Sequence, residues 1–184
     1  MTAASNSTPA TQHSTTRWVV MGVSGCGKST IGTALAATLA VPFLEGDAFH
    51  PESNVTKMSA GIPLDDEDRW PWLEIIGSRL EGARETGIVI SCSALKRIYR
   101  DRLRRAAGSA LAFVYLRGSR DILLARMTDR PGHFFKASLL DSQLATLESP
   151  EGEDRVVTVD IAPLPDIIAT QALAGLAALN GVEP

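Results

Sequence analysis

The segment Gly22 to Ser29, GVSGCGKS, fits the pattern G-x-x-x-x-G-K-S and lies between two stretches of different periodicity. Ahead of it, Arg17 to Met21 is a short apolar run, as in a buried strand; after it, Lys28 to Ala40 carries Ile31, Leu35 and Leu39 at intervals of four, as in a helix. A glycine loop in that context is a phosphate loop. Its glycines let the backbone curl so that successive N–H groups point inward at phosphate oxygens, and the helix start adds the positive end of its dipole. Lys28 can then reach the β- and γ-phosphates, while the hydroxyl of Ser29 is placed to ligate Mg²⁺. Gly22, Ser24, Gly25, Cys26, Gly27, Lys28, Ser29 and Thr30 are therefore the candidate cofactor contacts, and a nucleoside triphosphate is the expected ligand.

The strand and helix alternation continues to the end of the chain. Phe43 to Asp47 reads as a second strand ending in an acid, and Ala48 to Pro63 as loops around a short helix. Asp65 to Asp68 crowd ahead of Leu73, Ile76 and Leu80, as suits a helix whose positive N-terminal end favours anions, with Gly87 as its stop. Ile88 to Cys92, Leu111 to Leu116 and Arg155 to Ile161 read as strands. Lys96 to Ala107, Asp121 to Thr128, Ala137 to Glu148 and Pro165 to Leu179 read as helices. Five apolar strands alternating with helices predict an α/β fold, a five-stranded parallel sheet with helices on both faces, in one domain spanning 17–184. Asp129 to Phe135 interrupts the pattern with Pro131 and Gly132, and reads as a mobile lid over about 129–136. Met1 to Thr16, rich in Thr, Ser and Ala and without Lys or Arg, reads as a disordered tail that fits no signal or transit peptide.

Composition excludes several classes of function. Eighteen Lys plus Arg against 21 Asp plus Glu leave a net charge of −3, which gives no broad electrostatic footprint for nucleic acid. No apolar run approaches the roughly 20 residues that cross a bilayer, so no membrane partner is expected. The only two cysteines, Cys26 and Cys92, form no C-x-x-C pair and no zinc-spaced cluster, which fits a reducing compartment, the cytoplasm.

Within phosphate-loop proteins, the chain lacks the N-K-x-D element of switch GTPases. Its strand Ile88 to Cys92 runs into Ser91 to Leu95 (SCSAL) without the acid usual in motor ATPases. The acid stands instead at the end of the second strand, Asp47, where it can accept the proton of an attacking hydroxyl or hold Mg²⁺ through water. That arrangement suits a small-molecule kinase. Arg126 and Arg130 are four apart, ahead of the Pro131 to Phe134 loop, and can clamp phosphates together. Arg97, Arg100, Arg102, Arg104 and Arg105 read mostly as a solvated helix face. Trp70 and Trp72 read as core in preference to pocket wall, and Cys26 as a small loop filler, although its place near Lys28 and a helix N-terminus would lower a thiol pKa.

Beyond the loop, the chain resembles the gluconate kinases of the shikimate kinase and nucleoside-monophosphate kinase type. The resemblance rests on Gly22 to Ser29, Glu45 to Pro51 (EGDAFHP), Asn54, Lys57 with Met58, Gly61 to Asp66 (GIPLDD), Asp68 to Leu73 (DRWPWL) and Ser91 to Lys96 (SCSALK). It also includes Tyr99 to Asp101, Arg130 to Phe134, Leu139 to Gln143 (LLDSQ) and Leu147 to Pro150 (LESP). It implies ATP-dependent phosphorylation of D-gluconate at its 6-hydroxyl, with Mg²⁺, on a phosphate-loop NTPase fold with a mobile lid. By the same match Asp47 looks like the group that orients or deprotonates the acceptor, Arg69 the partner of the substrate carboxylate, Arg126 the adenine-stacking arginine and Arg130 the lid arginine. His50, Lys96, Arg100, His133 and Gln143 look like polyol or phosphate contacts. The catalytic set expected is thus Lys28, Asp47 and Arg130. A shikimate or nucleotide kinase of the same fold, or an ATP-binding regulatory module without transfer, are the alternatives; the sequence allows a homodimer without requiring one.

Overall fold

A computed structural model describes residues 17–128 and 137–181, so the expected tail and lid, with Arg130 and His133, lie outside the described residues. The strands are β1 (Arg17–Met21), β2 (Phe43–Glu45), β3 (Ile88–Ser91), β4 (Leu111–Arg117) and β5 (Val156–Asp160). The α-helices are α1 (Lys28–Leu39), α2 (Glu52–Ser59), α3 (Asp66–Gly82), α4 (Arg97–Ala107), α5 (Arg120–Thr128), α6 (Ala137–Thr146) and α7 (Pro165–Leu179). All strand pairs are parallel, in the order β2-β3-β1-β4-β5. This is the fold expected from the alternation.

The sheet is buried on both faces, so its strands read as continuous apolar runs whose alternate residues serve two cores. Trp18 and Val20 of β1, with Ala112, Val114 and Leu116 of β4, join Ile31 and Leu35 of α1 and Ile168, Ala172 and Leu176 of α7. Val19 and Met21, with Leu111, Phe113 and Tyr115, join Trp72, Leu73, Ile76 and Leu80 of α3 and Tyr99 and Leu103 of α4. α1 leads outward from the central β1 toward β2, whereas α3 and α4 lead back across the sheet. Right-handed crossovers therefore place them on opposite faces. Among the described residues no helix is long and apolar enough to cross a membrane.

Several boundaries differ from the sequence reading, each for a local reason. β2 stops at Glu45, and Asp47 lies in a one-turn 3-10 helix, Gly46–Phe49. The chain turns there because Gly46 N–H donates to Ser91 Oγ at 3.0 Å, while a Cβ on Gly46 would stand 1.9 Å from the Ser91 carbonyl oxygen. Only glycine allows the end of β2 to approach β3 so closely. β5 starts at Val156 because Arg155 takes a left-handed conformation, φ 53°. The acidic run does begin a helix: Asp68 N–H donates to Asp65 Oδ1 at 2.9 Å and Asp65 N–H to Asp68 Oδ2 at 3.1 Å, a reciprocal capping box.

Candidate active site

The carboxyl ends of β1, β2 and β3 open on a cleft of about 720 Å³. Ligands in open α/β sheets bind in this position, where the strand order reverses around β1. Ser24 and Lys28 line it from the phosphate loop, Asp47 and His50 from the turn after β2, Arg69 from α3, Lys96 from the start of α4, and Gln143 from α6. Six sequence-predicted residues besides Ser24 thus share one cavity.

The loop has the form its sequence demands. Gly27 caps α1 in a left-handed conformation, φ 97°, which costs glycine nothing. Ser29 and Thr30 stand exposed in the first turn of α1. Lys28 Nζ donates to the carbonyls of Gly22 at 3.2 Å and Val23 at 3.1 Å, so its ammonium is folded against the loop. Ser24 N–H donates to Gln143 Oε1 at 2.7 Å, and Gln143 Nε2 donates to Ser24 Oγ at 3.0 Å. Arg126 borders the loop: one guanidinium nitrogen lies 3.8 Å from the place a Gly27 Cβ would take, and another donates to the Ile161 carbonyl at 2.6 Å. Cys26 is fully buried, and burial pushes its thiol up despite Lys28 nearby. Desolvation outweighs the positive surroundings that the sequence suggested, so Cys26 is a loop filler and not a poised thiolate.

On the acceptor side, Asp47 presents an exposed carboxylate in the cleft. Its turn is fixed from behind by Trp72, which is fully buried, as the sequence reading held, and whose Nε1 donates to the Gly46 carbonyl at 2.8 Å. The Trp72 ring also stacks on His50, centroids 4.2 Å apart. Burial lowers the His50 pKa, with Asp47 opposing and Arg69 adding to the shift, so the imidazole is neutral near pH 7. Asn54 Nδ2 donates to His50 Nδ1 at 3.3 Å, which leaves the proton on Nε2. Arg69 Nη2 reaches the Leu64 carbonyl at 3.4 Å and its guanidinium lies 5.7 Å from the Tyr99 ring centre; it has no carboxylate partner among the described residues. Lys96, by contrast, is paired with Asp66 at 2.6 Å, and Tyr99 donates its hydroxyl to the same carboxylate. Hydrogen bonds from Lys96 and Tyr99 hold Asp66 below the ordinary carboxylate value.

Arg100 is not brought to the cleft. It is fully buried in α4 and donates from Nε to both oxygens of Glu153 at 3.2 and 3.0 Å, and from Nη1 to the carbonyls of Ala94 and Leu95 at 2.9 and 3.0 Å. Arg104 Nη1 joins the same carboxylate at 2.9 Å. This guanidinium ties α4 to the segment before β5 and fixes the chain entering Lys96. The reading of α4 as a solvated basic face therefore fails for Arg100 and Arg104. A signal was available, because Arg100, Leu103 and Ala107 fall on one helical stripe at spacings of three and seven. Asp66, Tyr99 and Asn54, which set the cleft's charge and tautomers, belong to segments quoted in the resemblance but had been given no roles.

Among the described residues no cluster of three or more His, Cys, Asp or Glu could hold a metal by itself. Mg²⁺ keeps several waters and takes few protein ligands, so a site for such an ion does not require a cluster of that kind. The exposed Ser29 hydroxyl and the Asp47 carboxylate are oxygen donors of the right type for such an ion.

Comparison with known proteins agrees with the geometry. The family described as Shikimate kinase matches residues 24–153. Gluconokinase of Gluconobacter oxydans is 46% identical over 157 residues, 84% of this chain and 88% of the relative. Thermosensitive gluconokinase of Escherichia coli is 45% identical over 148 residues, 78% of each chain. The crystal structure of a gluconokinase from Sinorhizobium meliloti superposes with a TM-score of 0.86 at 55% identity, covering 90% of this chain and 94% of that one. A shikimate kinase from Aquifex aeolicus, 17% identical with a TM-score of 0.57, shares the fold. With its phosphate loop, its β2-β3-β1-β4-β5 sheet and relatives matched over most of their length, the chain belongs to the gluconokinase family of shikimate-kinase-like phosphate-loop kinases.

Proposed function

We propose that this enzyme transfers the terminal phosphoryl group of ATP to the 6-hydroxyl of D-gluconate, giving 6-phospho-D-gluconate and ADP. The observation that carries the reading is that Lys28, Asp47 and Arg69 line one cleft: a cation for phosphate, a carboxylate for a hydroxyl, and a second cation with no carboxylate partner among the described residues. The N–H groups of Gly25 to Thr30 and the start of α1 receive the phosphates. Lys28 exchanges the Gly22 and Val23 carbonyls for phosphate oxygens, where its charge meets the negative charge that develops during transfer. Asp47 accepts the proton of the 6-hydroxyl as that oxygen attacks phosphorus, the bond from phosphorus to the departing ADP oxygen breaking in line. Ser29, through its hydroxyl, would help hold Mg²⁺ together with the phosphates, and the ion would supply neutralisation of their charge.

Arg69 binds the gluconate carboxylate through two parallel hydrogen bonds. His50, neutral with its proton on Nε2, donates to a hydroxyl of the polyol, and Lys96 adds a contact from the Asp66 side of the cleft. Arg126, held at Ile161 beside Gly27, flanks the base of the nucleotide. Arg130 and His133 complete the expected set from outside the described residues. The test is product identification: incubation with ATP and gluconate should give a phosphate whose ³¹P resonance is split by the two protons on carbon 6. Coupling to a single proton, or ATP hydrolysis that ignores gluconate, would overturn the assignment.

A further inference from the structure

We infer that Gln143 belongs to the nucleotide side of the site, where its side-chain amide takes the position of a phosphoryl oxygen on the phosphate loop and must leave for the nucleotide to seat. The inference deepens the proposed function and rests on reading Gly22 to Ser29 as the ATP site. Resemblance alone placed Gln143 among the polyol or phosphate contacts without deciding between them. The geometry decides. Ser24 N–H points at Gln143 Oε1 at 2.7 Å, within the range of a strong hydrogen bond and the way a loop amide meets a phosphate oxygen. The return bond, Gln143 Nε2 to Ser24 Oγ at 3.0 Å, makes the contact two-point.

A phosphoryl oxygen can replace Oε1, because both accept. It cannot replace Nε2, because phosphate at neutral pH offers no donor. Seating the nucleotide therefore breaks both bonds to Gln143 and turns the Ser24 hydroxyl from acceptor to donor. Lys28 is engaged in the same way, its ammonium held by the Gly22 and Val23 carbonyls. The loop thus carries two internal competitors for the phosphates, one on its own backbone and one on α6. Gln143 is the informative one, because its helix also lines the cleft that Asp47 and Arg69 line, through Leu139, Ser142 and Thr146. α6 is anchored by the buried Leu140 and by the Arg120–Asp141 pair at 2.6 Å.

Deleting a competitor strengthens binding, whereas deleting a structural support does not. Dissociation constants for a non-hydrolysable ATP analogue, AMP-PNP, should be measured by calorimetry for wild type, Gln143→Ala, Gln143→Leu and Gln143→Glu, with KM for gluconate alongside. The Ala and Leu variants should bind AMP-PNP about fivefold more tightly, the worth of one net hydrogen bond. Gln143→Glu should bind it at least about tenfold more weakly, since a carboxylate then faces the phosphates. Unchanged or weaker binding by both Ala and Leu would overturn the inference, and a raised KM for gluconate with unchanged AMP-PNP affinity would return Gln143 to the polyol. A wild type that binds no AMP-PNP would overturn the phosphate-loop reading as well.

Discussion

The buried Arg100–Glu153 pair gives the sharpest test of which basic residues are structural. Glu153→Gln removes the charge that compensates a guanidinium with no exposed surface, while Arg104 keeps only its Asp101 partner at 2.9 Å. Breaking one partner of a buried pair costs about 3–5 kcal/mol, because the remaining charge is left uncompensated. Here the amide oxygen of Gln can still accept one bond, and the Ala94 and Leu95 carbonyls still receive Nη1, so the lower end applies, about 3 kcal/mol. For a domain of this size each kcal/mol moves Tm by about 2–4 °C, so the loss should be about 6–12 °C in differential scanning calorimetry. KM for gluconate at 20 °C should not change, since neither residue lines the main cleft. Burial alone would push the Glu153 carboxyl up, but hydrogen bonds from Arg100 and Arg104 hold it below its ordinary value of 4.5. Its contribution to stability is therefore full above pH 4.5 and is lost as pH falls through the depressed value, so the gap between wild type and variant should narrow only in acid. A Tm within about 2 °C of wild type, together with a raised KM for gluconate, would refute the reasoning and restore Arg100 to the substrate.

Other variants separate the roles within the cleft. Asp47→Asn should keep ATP affinity within about twofold but lower kcat by about 10²-fold or more, because an amide cannot accept the acceptor's proton; stopped-flow and equilibrium binding together check both halves. Lys28→Ala should lower kcat by about 10²-fold or more with folding intact by circular dichroism, and near-normal turnover would remove Lys28 from the phosphates. Arg69→Lys keeps the charge but loses the planar fork, so KM for gluconate should rise while KM for ATP stays put. Cys26 and Cys92 should resist iodoacetamide at pH 8 in the folded enzyme and react on unfolding, since both are buried and burial pushes Cys92 up to about 12.

What was legible in the sequence followed locality. The phosphate loop, the five strands and the capped start of α3 are written in spacings of a few residues, and the structure has them where the periodicity placed them. Asp47 was read as the last residue of the second strand and lies instead in a 3-10 turn, because that turn depends on Gly46 meeting Ser91 from another strand. The long-range pairings were invisible in principle: Gln143 meets Ser24 across 119 positions, and Arg100 meets Glu153 across 53. Cys26 was read as a loop filler and is one, but the direction of its thiol shift was not legible, because the charges near it are evident in sequence whereas its desolvation comes from the packed core.

The central claim is that one cleft matches a carboxylate at Arg69 to a hydroxyl at Asp47, and acceptor specificity measures it most directly. kcat/KM should be determined with ATP for gluconate, sorbitol, shikimate and AMP. Gluconate should be preferred over the neutral sorbitol by about 10³-fold or more, since sorbitol leaves a guanidinium unpaired, and over shikimate and AMP as well. A wild type that used sorbitol as well as gluconate, or that preferred shikimate or AMP, would contradict the account.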